Sequence, residues 1–300
     1  MGELIDDAGL FPPARLPMSE ALAARERAFA SDTFWIVGRF VVPASRLREL
    51  ASELDDAPQA LAATVILDAP GSLEEMLREL ASDARALASR IALESIEFPL
   101  ARIDAGTDDE RFARLESALG AADFPKRPGL YVEIGLGEGG SERLGALHRA
   151  RSRDFEVAAK IRCGGIEPSS IPDPASLAQF IWTANALRLP FKATAGLHHP
   201  LRHDDRSVGA TVHGFLNVIG GAVLTRARGL DLRSLEQLIL DCDAANFQLD
   251  EERFAWSGIG ADAAEIGDAR ANFVRGYGSC SLVEPVDDLR ALAMLPAGVV

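Results

Sequence analysis

The chain has 300 residues, 48% hydrophobic and 25% charged, a balance that suits a folded protein with a sizeable core and excludes extended disorder. Its formal net charge of −14, from 45 acidic against 31 basic residues, and the lack of any Lys/Arg run argue against nucleic acid and anionic membrane surfaces as partners. Cys163, Cys242 and Cys280 are too few for a disulfide framework, no apolar run nears the ~20 residues that cross a bilayer, and the N-terminus has no secretory pattern, so a cytoplasmic protein is expected.

The length suits one large domain over residues 1–300, since an eight-unit α/β barrel needs about 250 residues. An N-terminal helical segment is expected over about residues 1–30. Short apolar runs then alternate with amphipathic stretches, the pattern of a parallel sheet wrapped by helices. The runs are Phe34–Val42, Ala62–Leu67, Ile91–Phe98, Leu130–Leu136, Val157–Cys163 and Leu189–Ala195, and they read as strands buried on both faces. Helices are predicted over Ala44–Leu54, Ser72–Ser89, Asp108–Leu119, Ser141–Arg151 and Ala175–Leu187. Pro43, Pro70 and Pro172 stand where strands hand over to helices. The fold expected is therefore a (β/α)8, TIM-like barrel.

Beyond residue 195 the pattern blurs, so the last two units are expected to be irregular. Val208–Arg226 reads either as one helix or as a strand and a helix, and Asn246–Trp256 as an extended hairpin. A helix over about Asp262–Arg275, a turn at Gly276–Ser281 and a final helix from Pro285 form a closing segment over about residues 260–300.

In parallel barrels the active site lies at the carboxyl ends of the strands. Polar residues late in apolar strands are few: Glu97, Glu133, Lys160 with Arg162, and Lys192. Side chains alternate along a strand, so Lys160 and Arg162 share one face. Buried ammonium groups need partners, so these cations either pair with Glu133 and Glu97 in a structural layer or face a cavity that receives an anionic substrate.

Four of the five histidines, His198, His199, His203 and His213, fall within sixteen residues, directly after the strand that carries Lys192. They suit proton transfer near neutral pH, substrate binding or metal ligation, and a solvated loop is the bland alternative. Gly164-Gly165 and Gly196 follow the two lysine strands, where backbone amides would bind phosphate or carboxylate. Gly135–Gly140 matches a dinucleotide fingerprint only loosely, and no nicotinamide cofactor is expected. Cys163 reads as a small buried residue, and Cys280 reaches the site only if the C-terminal segment folds over the barrel mouth.

Phe191-Lys192-Ala193-Thr194-Ala195-Gly196 resembles the Schiff-base strand of deoxyribose-phosphate-aldolase-like (class I) aldolases. In those enzymes a second lysine, followed by a Gly-Gly-Ile turn, perturbs the first, and Lys160-Ile161-Arg162-Cys163-Gly164-Gly165-Ile166 is similar in composition. There the second lysine lies on the following strand, whereas here it lies on the preceding one. The longer string from Lys160 through the His-His-Pro loop to Asn217 also resembles a bacterial family without an assigned activity.

Three readings stay open. The first is an aldolase-like lyase on a small anionic carbonyl or phosphorylated metabolite. Lys192 is its nucleophile, activated by the neighbouring cation Lys160 or Arg162, and Glu133 or His198 transfers the proton. Arg162, Gly164, Gly165, Gly196, His199, Arg202, Glu97 and Asn217 would bind the substrate. The second is a metal- or cation-assisted transferase or hydrolase on a phosphorylated or carboxylated substrate. The third is a non-catalytic small-molecule-binding barrel. No organic cofactor is expected, a divalent metal belongs only to the second reading, and homo-oligomerisation is left open.

Overall fold

A computed structural model describes residues 2–54, 59–68, 70–151 and 157–295. The six apolar runs form strands β2 (Val37–Pro43), β3 (Leu61–Ile66), β4 (Ile91–Pro99), β5 (Gly129–Glu133), β6 (Val157–Arg162) and β7 (Phe191–Thr194). They pair in parallel in chain order. Helix α1 (Met18–Phe29) precedes them, and α2 (Leu47–Glu53), α3 (Leu73–Ala86), α4 (Asp108–Ala121), α5 (Gly140–Ala150) and α6 (Pro174–Ala186) alternate with them. Their starts follow capping chemistry. Ser72 with Glu75 and Thr107 with Glu110 form reciprocal capping boxes, while Asp173 caps a helix whose first residue is proline. On α3, residues Leu73, Met76, Leu77, Leu80, Ala81 and Ala84 are buried, the three-to-four spacing of a helix laid on a sheet.

Closure comes from two strands that the sequence reading places elsewhere. Ile5–Asp7, expected in a helical segment, is β1, and Val274–Ser279, expected to run from a helix end into a turn, is the closing strand. They pair with each other, β1 with β2 and the closing strand with β7, which completes an eight-stranded parallel barrel. Three residues are too few to show a period, and two glycines in Val274–Ser279 mimic a turn. Gly276 is required there: its φ is +154°, and a Cβ would come within 2.7 Å of the Leu4 carbonyl oxygen.

Between β7 and the closing strand the expected irregularity is real. A short antiparallel pair (His203–Asp205 with Ala210–Val212) leads through a π-helical turn, Leu216–Gly220, into α7 (Gly221–Arg228) and α8 (Leu232–Leu240). The hairpin expected over Asn246–Trp256 is present and gains a third strand, Ile259–Asp262, before α9 (Ala263–Asn272). After the closing strand, α10 (Glu284–Ala291) lies near the carboxyl ends of the strands, where two of its acids meet the histidine loop. No helix among the described residues is long and apolar enough to cross a membrane.

Candidate active site

Register sets the floor of the site. Lys160 of β6 is the direct neighbour of Glu133 on β5 and of Lys192 on β7. Two adjacent ammonium groups repel, and the remedy comes from β4: Glu97 places one oxygen 2.6 Å from Lys160 Nζ and the other 2.6 Å from Lys192 Nζ. Glu133 Oε2 lies 3.1 Å from Lys160, and Asp6 Oδ2 of β1 lies 2.6 Å from Lys192. The result is a chain of ion pairs, Glu133–Lys160–Glu97–Lys192–Asp6, across the barrel interior. Asp6 is itself held by the Arg39 backbone N–H, which donates to Oδ1 at 2.7 Å, and the Tyr131 ring centre lies 5.6 Å from Lys192 Nζ.

Burial sharpens the electrostatics. Glu97, Lys160 and Lys192 are each under 5% exposed. Burial opposes the charge on Glu97, yet the Lys160 and Lys192 ammoniums outweigh it and hold the carboxyl down to about 2. Burial likewise opposes the charge on Lys192, and the Asp6 and Glu97 carboxylates outweigh that and raise its pKa above the ordinary lysine value. This overturns the expectation that a neighbouring cation lowers the pKa of Lys192. The missing link in that expectation is Glu97, which sits between the two lysines.

Above this floor opens a cavity of ≈ 420 Å³. Lys160, Lys192 and Glu97 form its base, and Phe11, Pro12, Pro13, Ile166, Val208 and Val212 give it apolar walls. Arg162, two residues beyond Lys160 and on the same face, reaches the cavity as an exposed guanidinium. It has no hydrogen bond or ion pair within the described residues. Gly165 and Gly196 line the cavity, but Gly164 does not. A Cβ on Gly164 would meet Gly196 Cα at 2.9 Å, and Gly196 has a φ of +73°. The two glycines therefore let the loops after β6 and β7 touch, and Gly164 is a packing residue rather than a ligand contact.

The histidine group divides. His198 and His199 line the cavity, whereas His203 and His213 do not. Glu284 and Asp288, one turn apart on α10, face the first two: Glu284 Oε2 is 3.7 Å and Asp288 Oδ2 2.5 Å from the respective Nδ1 atoms. Burial lowers the pKa of His198 despite Glu284. His203 packs edge-on against His199, and His213 is buried, with Nε2 donating to the Pro172 carbonyl at 2.7 Å. Among the described residues no group of three or more His, Cys, Asp or Glu side chains converges as a metal site would require.

Two expected substrate contacts belong to loop architecture instead. Asn217 is fully buried, accepts from the Arg202 backbone N–H and donates to the carbonyls of Leu238 and Asp241. Arg202 turns toward His213, and neither residue lines the cavity. Glu133 borders a side groove rather than the main cavity, touching it only through Lys160. Cys163 is buried outside the cavity, its thiol pushed up to about 12 by burial. Cys280 does line the cavity, 3.6 Å from His198 Nδ1. Sequence reasoning missed Asp6, whose only signal is an acid directly after Leu4-Ile5.

No family model matches the chain, and no curated protein matches it.

Proposed function

We propose that the chain is an aldolase-like lyase that holds a small anionic carbonyl compound as a Schiff base on Lys192. The observation that carries this reading is the Lys192 ammonium at the cavity floor, 2.6 Å from both the Asp6 and the Glu97 carboxylates. Lys192 first passes a proton to Asp6, because Glu97 is already shared between two ammoniums. The freed amine adds to the substrate carbonyl carbon to give a carbinolamine. Return of the proton from Asp6 releases the former carbonyl oxygen as water and leaves a cationic imine.

That imine bears the same charge as the ammonium it replaces. The carboxylates that raise the pKa of Lys192 therefore stabilise the covalent intermediate too, and only the transient neutral amine is disfavoured. The imine then accepts the electron pair of the adjacent carbon–carbon bond as the β-hydroxyl yields its proton to His198, which is neutral at pH 7 because its pKa is lowered. An aldehyde leaves. Protonation of the remaining enamine and hydrolysis of its imine free the second carbonyl product and restore Lys192. Arg162 and the Gly165 loop would hold the anionic group of the substrate, while the apolar walls exclude water.

The test is retro-aldol turnover across a panel of β-hydroxy aldehydes and ketones bearing a carboxylate or phosphate. Lys192→Ala abolishes turnover while retaining the folded circular-dichroism spectrum. Turnover that persists in Lys192→Ala contradicts the reading.

A further inference from the structure

The cavity above the ion-pair floor has room and walls for more than an anion. Its volume of ≈ 420 Å³ falls within the range of about 300–1,000 Å³ typical of pockets that enclose drug-sized molecules, so a triose-sized metabolite would leave much of it unfilled. Three separate segments line it with apolar side chains: Phe11, Pro12 and Pro13 after β1, Ile166 after β6, and Val208 and Val212 at the short antiparallel pair. Several of these stay open to solvent. Pro12 and Pro13 are exposed, and Ile166 keeps 48% of its surface accessible. Apolar groups left wet on a cavity wall gain free energy when an apolar part of a ligand covers them.

The charge of the site selects the anion. Of the cations that line the cavity, Lys160 and Lys192 are each held by two carboxylates. Arg162, at the rim between the main cavity and the side groove, is unmatched among the described residues. Asp205 also lines the cavity. The Ser207 hydroxyl and backbone N–H donate to its Oδ1 at 2.6 and 2.7 Å and hold its carboxyl below the ordinary range, so it is ionised at neutral pH. Glu97, Glu133, Asp6 and Asp205 thus set four negative charges against the three positive ones of Lys160, Lys192 and Arg162. The guanidinium fork of Arg162 matches one carboxylate. The second charge of a phosphate ester would find no free cation there and would be repelled by Asp205.

We propose that the substrate is a monocarboxylate with an aryl or branched alkyl arm rather than a phosphate ester, an inference that rests on the Schiff-base reading of this cavity. Arg162 takes the carboxylate at the rim, the apolar belt takes the arm, and the carbonyl is left to Lys192 at the floor. The test uses probes without a carbonyl group: phenylpropanoate, propanoate and phenylethyl phosphate. Each is titrated calorimetrically into the full chain at about pH 7.5, where the phosphate monoester is mainly a dianion. Saturable one-to-one binding of phenylpropanoate is expected, with propanoate and phenylethyl phosphate each at least about tenfold weaker.

Arg162→Ala weakens phenylpropanoate binding about tenfold, and because Arg162 is exposed the fold is not at risk. Lys126→Ala, which removes another exposed cation ahead of β5, leaves the affinity unchanged. Three results overturn the proposal: no saturation by phenylpropanoate up to about 10 mM, propanoate or phenylethyl phosphate bound as tightly as phenylpropanoate, or a Kd moved no more by Arg162→Ala than by Lys126→Ala. None of the probes can form an imine, so these results bear on the substrate class alone. Failure of the Schiff-base reading shows separately, as turnover that persists in Lys192→Ala.

Discussion

At the carboxyl ends of the strands, two ammoniums and three carboxylates form a linear chain in which Lys160 and Lys192 each touch two acids. At the amino ends, Arg39 pairs with Glu94 and, more distantly, with Glu3 at a partly exposed rim. The first arrangement is largely buried and tightly paired, so any charge created or moved there is felt by every neighbour. The second is partly exposed to solvent, which screens it. Pairing in a buried place suits proton and covalent chemistry, in which the protein must stabilise a charge that it already carries.

The difference can be broken most sharply at Glu97. Glu97→Gln removes the carboxylate between two buried ammoniums and should destabilise the fold by about 3–5 kcal/mol, measured by urea unfolding at pH 7. The pH dependence has the same sign. Because Glu97 is held down to about 2 against an ordinary 4.5, its contribution is full above pH 4.5 and is lost as pH falls toward 2.

Asp7, the neighbour of Asp6, is the exception inside the upper end. Its Oδ2 has no hydrogen-bond partner and lies 3.8 Å from Arg25, and burial raises its carboxyl to about 6 from 3.8. The native state therefore holds the proton more tightly than the unfolded chain. Stability falls as pH rises from about 3.8 to about 6, by up to about 3 kcal/mol. Asp7→Asn should remove that slope from a stability-versus-pH curve, and an unchanged slope would assign it to another group. The smallest effect belongs to the lower end. Glu94→Gln breaks a partly exposed pair with Arg39 and should cost under about 1 kcal/mol in the same unfolding assay. A loss as large as that of Glu97→Gln would erase the distinction between the two ends.

How much of this was legible in the sequence varies from place to place. Strands β2–β7 announce themselves as apolar runs, and asking which of them end in a charged residue picks out Glu97, Glu133, Lys160, Arg162 and Lys192, all but Arg162 members of the ion-pair chain. Asp6 escapes that filter because β1 is three residues long, and its partner strand is punctuated by Gly276 and Gly278. Periodicity needs length, and barrel closure is a tertiary event that neither strand encodes alone. The histidine group shows a related limit. Nearness along the chain did not become nearness around one ligand, because His213 and Asn217 turn inward to tie the loop after β7 to Pro172, Leu238 and Asp241. Cys280 reaches the cavity because it directly follows the barrel strand Val274–Ser279, a stretch whose end the sequence showed as a turn.

The most direct test of the account is borohydride reduction in the presence of a small anionic aldehyde or ketone, followed by peptide mass mapping. The account predicts a stable adduct on Lys192, carrying the carbon skeleton of the carbonyl compound and absent from Lys192→Ala. An adduct confined to Lys160, or no adduct on either lysine under conditions of turnover, would contradict it.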